Sequence, residues 1–403
     1  MSEWRKLPLK EITVKIGSGS TPTGGSGAYK ETGVSLIRSQ NVLDFSFTNN
    51  GLAFIDEEQA HALRNVIVEP QDVLLNITGD SVARCCSAPR EWLPARVNQH
   101  VAIIRANPKH LDSLFLKYSL ISIKDELLSL SEIGGTRNAL TKSMLENLKL
   151  FVPSVIEQKA IASVLSSIDN KIDLLHRQNK TLESMANTLF RQWFIEESQD
   201  EWPEATLNQY VELNKSSIDK KYNIKEIQYL DTGSLTKGKI SKLQKILLSD
   251  APSRAKRLVN NFDIIISTVR PDQCHYGICI APPSNLVVST GFCVITSKSL
   301  SPFFIYYLIT SEDMTEYLHS IAEGSTSTYP SLKPEDIGNI PFLYPSEEKL
   351  KNFHDLVGSY WNKIHNNHKK IQTLETLRDT LLPKLMSGDV RVQYAEEAIA
   401  SVA

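Results

Sequence analysis

Ile161-Ala162-Ser163-Val164-Leu165-Ser166-Ser167-Ile168-Asp169-Asn170-Lys171-Ile172-Asp173-Leu174-Leu175 carries apolar side chains at alternating steps of four and three. The series Ile161, Leu165, Ile168, Ile172, Leu175 continues through Asn179, Leu182, Ala186, Leu189 and Trp193. Side chains so spaced share one stripe of an α-helix, the a and d seam of a coiled coil. Phe353, Val357, Tyr360, Ile364, Asn367, Ile371, Leu374, Arg378, Leu381 and Leu385 repeat the spacing later in the chain. Both stretches start just after a proline, and neither meets another until Pro383, which should kink or end the second helix. About 40 residues at ~1.5 Å each give a rod of roughly 60 Å. A strict seam needs a partner, and each helix supplies one to the other. Asn179 and Asn367 lie on the seam, where a polar group lowers stability but fixes register.

The rest of the chain recurs as well. Trp4 with Leu9 returns as Trp202 with Leu207, and Val34–Ser39 as Ile227–Thr232. Asp72–Thr78 matches Asp263–Val269, Asn98–Ile104 matches Ser289–Ile295, and Phe151–Ser154 matches Leu343–Ser346. Gly135-Thr136 matches Gly324-Ser325. An offset held near 190 residues throughout marks one module used twice. The apolar frame is kept while the polar side chains differ, which suits one kind of task performed on two targets.

Before each helix stand short β-type runs bounded by Gly, Pro, Asn and Ser: Asp72–Ile77, Val101–Ile104, Phe262–Val269 and Gly291–Thr296. Helical stretches are expected at Leu111–Leu130 and Pro302–Ile321. The fold class is therefore α+β, with two globular heads of about 150 residues each. A chain of 403 residues agrees, being too long for one ordinary core. Its net charge of −2 lacks the basic excess of many nucleic-acid binders, so any basic surface must be local. No apolar run follows Met1-Ser2-Glu3-Trp4-Arg5 and none has membrane-spanning length, so neither a secretory leader nor a membrane is expected. The odd set Cys85, Cys86, Cys274, Cys279 and Cys293 fits free thiols in a reduced cytoplasm. No metal site is expected.

Catalytic motifs are weak. Gly233-Ser234-Leu235-Thr236-Lys237-Gly238-Lys239 has P-loop letters, but Ile240 stands where Ser or Thr must meet Mg²⁺. Pro271-Asp272 and Glu347-Glu348-Lys349 have the letters of a nuclease centre in separate parts of the module. His365 and His368 have no third ligand in view. Nucleophile-elbow, zinc-protease and dinucleotide fingerprints are missing.

Groups able to meet DNA are more plentiful. Lys215, Lys220, Lys221, Lys225, Lys237, Lys239, Lys242, Lys245, Arg254, Lys256 and Arg257 gather in one region of sequence, as phosphate contacts do. In the first head, candidates for base edges are Arg38, Ser39, Gln40, Asn41, Arg84, Asn98, Gln99, His100, Thr136, Arg137 and Asn138. The second head offers Thr232, Thr268, Arg270, Asp272, Gln273, His275, Ser325, Thr326 and Tyr329. Arginine suits guanine, and Asn or Gln suits adenine, in the major groove. Each residue alone is as well explained as a turn or surface residue.

Val152-Pro153-Ser154-Val155-Ile156-Glu157-Gln158-Lys159-Ala160-Ile161, Met185–Phe194 and Leu377–Gly388 resemble the specificity subunits of type I restriction-modification enzymes. The second helix start departs from the pattern, Glu347-Glu348-Lys349 lacking the Gln that follows Glu157. The resemblance implies target-recognition domains at 1–153 and 199–345, conserved helices at 154–198 and 346–389, and a tail at 390–403. It implies helices packed as an antiparallel coiled coil, a pseudo-twofold repeat, and a bipartite DNA site whose gap the helices measure. It also implies no catalytic centre and no cofactor in this chain. S-adenosylmethionine, ATP and Mg²⁺ would sit on partners, two modification subunits and the restriction subunits. A two-headed scaffold or anti-restriction decoy without DNA contact is the alternative, and the lysine cluster argues against its acidic version.

Overall fold

A computed structural model of the chain describes residues 4–22, 24–132, 138–219, 222–325, 329–390 and 392. They form two units, one of residues 1–175 with 369–403 and one of residues 176–368.

Unit 1 opens with β1 (Arg5–Pro8), α1 (Leu9–Ile12), β2 (Thr13–Ser18), β3 (Val34–Ile37), β4 (Ala53–Ile55) and α2 (Glu57–Ala62). There follow β5 (Ile67–Val68), β6 (Val73–Asn76), β7 (Cys85–Ser87), β8 (Ala95–Val97) and β9 (Val101–Ala106). Then come α3 (Ser113–Ser122), α4 (Lys124–Glu132), α5 (Lys142–Asn147), β10 (Lys149–Val152) and the long α6 (Val155–Arg191). Two four-stranded sheets have the orders β2-β9-β6-β7 and β4-β3-β8-β5, and β1 pairs with β10. The runs in β6 and β9 are apolar at successive positions because the sheet is covered on both faces. Val73, Leu75, Ala102 and Ile104 enter the core shared with the helices, and Leu74, Val101 and Ile103 enter the core beneath β3 and β8. Alternate residues pointing to opposite faces require this.

Unit 2 repeats the plan. Its elements are β11 (Glu204–Thr206), β12 (Val211–Leu213), β13 (Glu226–Leu230), β14 (Leu235–Thr236), β15 (Lys239–Ile240), β16 (Gln244–Leu247) and β17 (Ala255–Leu258). Next are β18 (Ile264–Ser267), β19 (Tyr276–Ile278), β20 (Leu286–Ser289), β21 (Phe292–Ser297), α7 (Pro302–Thr310) and α8 (Glu312–Glu323). The last are α9 (Pro334–Gly338), β22 (Pro341–Leu343) and α10 (Glu347–Ser387). The sheets run β12-β21-β18-β19 and β16-β13-β20-β17, with β11 on β22, matching the three sheets of unit 1, and unit 2 adds the β14–β15 pair. In each unit one pair is parallel, β3 with β8 and β13 with β20, among antiparallel neighbours. Even a turn is repeated: Asp72 accepts the Glu69 amide and Asp263 the Asn260 amide, both at 2.7 Å. The α+β expectation holds, with each expected helical stretch broken in two, at Ile123 and at Ser311.

Each unit holds one half of α6 against one half of α10. In unit 1, Ile161, Leu165, Ile168, Ile172 and Leu175 share a core with Ile371, Leu374, Leu381 and Leu385. In unit 2 the two asparagines meet, Asn367 Nδ2 donating to Asn179 Oδ1 at 2.7 Å, while Phe353 packs on Phe190. Those two contacts run in opposite directions along the helices, so the halves are antiparallel. Val357 and Ile364 are buried there, and Leu182, Leu189 and Tyr360 are half-buried against the same core. Beyond Ala186 the buried positions move to Phe190 and Phe194, with Leu189 and Trp193 at the margin. Phe194 lies past α6 in a π-helical turn, Gln192–Glu196, whose wider winding moves the buried face off the seven-residue stripe.

Pro383 does not end the second helix. It lies inside α10, which ends only at Ser387 before Gly388 in a left-handed conformation. A proline in the last turn deprives the helix of a single hydrogen bond, too little to stop it earlier. The Asn179–Asn367 pair leaves Asn179 Nδ2 and Asn367 Oδ1 buried without a partner among the described residues. Leucine at both positions should therefore leave unit 2 at least as stable to heat while loosening its register. A lower melting temperature for the double variant would contradict this.

The buttress between head and helix differs between copies. In unit 1, buried Gln158 donates to the Pro153 and His110 carbonyls at 2.9 and 3.0 Å and accepts the Asp112 amide at 2.8 Å. Leu350 stands at the corresponding place in α10. Likewise Asp169 of α6 gathers Lys117, Tyr118 and Arg378, whereas unit 2 places Tyr306, Tyr307 and Trp361 there as packed rings. Among the described residues no helix is long and apolar enough to cross a membrane.

Candidate nucleic-acid interface

In unit 1 several turns converge at one end of the sheets. The turn Ser39–Asn41 follows β3, the turn Gly79–Ser81 follows β6, and Asn98–His100 joins β8 to β9. Buried Asn76 ties the first two, its Nδ2 donating to the Ser39 and Val42 carbonyls at 2.9 and 3.3 Å and to Ser81 Oγ at 3.2 Å. Asn98 donates its amide to the Ile37 carbonyl, and Gly79 its own to the Asn138 carbonyl. His100 Nδ1 lies 2.5 Å from Thr78 Oγ1. The structure thus assembles Arg38, Ser39, Gln40, Arg84, Gln99, His100 and Asn138 on one face, while Thr136 and Arg137 lie outside the described residues.

Two candidates on that face have internal duties. Asn41 is fully buried and bonds the Arg38 amide and the Thr48 and Asn50 carbonyls, shaping its own loop. Asn98 is buried, its Oδ1 accepting the His100 amide at 3.0 Å. Neither is free to meet a base edge. Arg84 is better placed, making no side-chain hydrogen bond or ion pair among the described residues, whereas exposed Gln99 accepts from the Thr21 hydroxyl and lies 3.0 Å from His100 Nε2. Arg38 lies 5.1 Å from the Tyr29 ring and donates to the Gly51 carbonyl.

Unit 2 gathers the corresponding turns with other side chains. Thr268 donates through its amide and hydroxyl to the Gly291 carbonyl, and Gly291 itself abuts Thr232. Thr290 donates its amide to the Arg254 carbonyl, which brings Arg254 to the same turn. His275 Nδ1 lies 2.6 Å from the Leu235 carbonyl, and its Nε2 lies 3.0 Å from Gln273 Oε1. Arg270 stacks on Tyr329, Ser325 is half-buried nearby in sequence, and Thr326 lies outside the described residues.

The lysine-rich stretch does not form one patch. Lys245 lies on β16 and Lys256 on β17, the two edges of one four-stranded sheet, about 14 Å apart by strand spacing. Lys215 pairs with Glu212 at 2.5 Å, Arg257 donates to Ser217 at 3.3 Å, and Lys220 and Lys221 lie outside the described residues. Lys239 faces Glu183 of α6, whose carboxyl is pushed up by burial and drawn back by that lysine.

The P-loop letters fold as a hairpin. Leu235–Thr236 pairs with Lys239–Ile240 around Lys237 and Gly238, both at positive φ, and the chain continues into β16 rather than a helix whose N-terminus could receive a phosphate. Burial pushes the thiols of Cys86, Cys279 and Cys293 up to about 12, which removes them as nucleophiles. Asp272 lies 3.5 Å from His319, in a different unit element from Glu347 at the start of α10.

The family model described as the type I restriction modification DNA specificity domain matches residues 1–184. The MjaIX specificity subunit of Methanocaldococcus jannaschii, a type I restriction enzyme, is 30% identical over 97% of this chain and 94% of its own length. The MjaVIII specificity subunit of the same organism is 25% identical over 82% of this chain and 81% of its own. The crystal structure of the type I restriction-modification S subunit from M. genitalium superposes with a TM-score of 0.60 at 17% identity, over 95% of this chain and 96% of that one. At 30% identity to a specificity subunit along nearly its whole length, the chain belongs to the specificity subunits of type I restriction enzymes, the non-catalytic component.

Proposed function

We propose that the two heads, residues 1–153 and 199–345, are target-recognition domains that each read one half of a bipartite DNA site. The observation carrying this is the pairing of identical strand order with different turns. Arg38-Ser39-Gln40-Asn41 after β3 corresponds to Asp231-Thr232-Gly233-Ser234 after β13. One scaffold with two sets of polar groups suits two unlike half-sites. The helices 154–198 and 346–389 form the antiparallel coiled coil that sets the gap and receives two modification subunits, with the restriction subunits joining through the complex. S-adenosylmethionine, ATP and Mg²⁺ belong to those partners, and the assembly works in the cytoplasm.

Methylation sequencing of DNA from cells expressing the chain with its modification subunit tests this. The expected result is a split motif of two short blocks around an unspecified gap, methylated only when the chain is present. No new motif, with the partner shown to be bound, would favour a scaffold or anti-restriction decoy. Insertion of one helical turn, four residues, in both α6 and α10 should lengthen the gap and leave both blocks unchanged. An unchanged gap would overturn the role of the helices as its measure.

A further inference from the structure

We propose that Arg270 reads a guanine in the half-site assigned to unit 2, an inference that rests on the bipartite reading above. Arg270 lies just past the end of β18, where its backbone takes φ 50° and ψ 68°, a left-handed conformation rare for a side chain of this size. It also precedes Pro271, a position that favours extended backbone. Its surroundings hold it there. The Arg270 amide donates to the Pro330 carbonyl at 3.0 Å, Val269 bridges to Ser331, and the following turn lies against α8, with Asp272 Oδ1 3.5 Å from His319 Nδ1. Strained backbone kept by its surroundings is a mark of functional positions.

The side chain is presented rather than consumed. Arg270 is exposed, its guanidinium carbon lies 4.8 Å from the Tyr329 ring centroid, and its side chain makes no hydrogen bond or ion pair among the described residues. Contact with the ring restrains the guanidinium while leaving its five N–H groups for another molecule. A planar fork so restrained matches the O6 and N7 acceptors of guanine. Arg38 and Arg257 are less available, since they donate to Gly51 and Ser217. Exposed Lys237 and Lys256 are point charges suited to phosphates instead. Thr268, Gln273 and His275 lie on neighbouring turns, where Thr268 bonds the Gly291 carbonyl and His275 contacts the Leu235 carbonyl and Gln273, so these side chains shape the surface around Arg270.

The test uses the full chain assembled with its modification subunits and a duplex library randomised over both half-sites. Arg270→Lys keeps the charge and loses the fork. It is expected to lower discrimination for guanine at one base pair of one block by roughly ten- to a hundredfold, with the other block unchanged. Tyr329→Leu should weaken discrimination at the same base pair to a smaller extent, because the fork remains but is no longer held. An Arg270→Lys complex that selects the wild-type motif with undiminished preference overturns the proposal. So does Arg270→Ala weakening every sequence evenly with a salt dependence reduced by about one ion, the mark of a phosphate contact. A wild-type complex that selects no split motif overturns the bipartite reading itself, and shows it before any variant is compared.

Discussion

Asp169→Ala is expected to destabilise unit 1 by about 3–5 kcal/mol, the usual cost of removing one partner from a buried ion cluster. Asp169 Oδ2 accepts from Lys117 Nζ at 3.1 Å and from Tyr118 Oη at 2.6 Å, and Oδ1 accepts from Arg378 Nη1 at 3.3 Å. The side chains of Lys117 and Arg378 are only 6% and 12% exposed, so water cannot replace the lost carboxylate. Two cations would then face one another across the junction of α3, α6 and α10. Replacing the whole cluster, with Lys117→Met, Asp169→Leu and Arg378→Met together, should recover most of the loss. Hydrogen exchange at the α3 amides would report unit 1 separately from unit 2. A loss under about 1 kcal/mol for Asp169→Ala would show that the cluster behaves as a surface pair.

Phe353→Ala should cost unit 2 about 3–5 kcal/mol, the range for truncating a buried aromatic side chain. Phe353 is fully buried, with Phe194 at 5.0 Å, Phe190 at 6.1 Å, Trp193 at 6.2 Å and Tyr307 at 6.3 Å between ring centroids. Rings contributed by α6, the turn that follows it, α7 and α10 cannot all shift to fill the space, since each is held by the others. Phe353→Leu keeps more of the volume and should be milder. Protection of the α10 amides in unit 2 is the readout. Unchanged protection in Phe353→Ala would mean the core closes around the gap.

The long helices were legible because a seven-residue apolar period has few other meanings, and the repeat was legible because burial conserves hydrophobicity at matched places. The change of seam at Phe190 and Phe194 was less so, since Leu189 and Trp193 satisfy the spacing equally well and only three-dimensional packing separates them. Arg378 falls on a seam position, and a charge there signals a buried counter-ion. Nothing in sequence points to Asp169 as its partner across more than two hundred residues. The candidate interface was legible as a set of turns but not in its members. Asn41 and Asn98 have the composition of base contacts, yet each serves its own loop. Arg270 carried no special mark among its neighbours, because backbone handedness and the Tyr329 stack arise only on folding.

Unit 1 is assembled from two distant segments, whereas unit 2 is a single continuous stretch. During synthesis the second head can close as soon as His368 has left the ribosome, while the first still lacks the segment that covers Leu165, Ile168 and Ile172. At ~5–20 residues per second the intervening stretch of roughly 200 residues takes about 10–40 s to make. Through that interval the nascent chain carries an uncovered apolar stripe on α6. Chaperone occupancy along the growing polypeptide should therefore peak after Leu175 has emerged and fall only once Leu385 has. A late frameshift would spare the head made last and cripple the head made first.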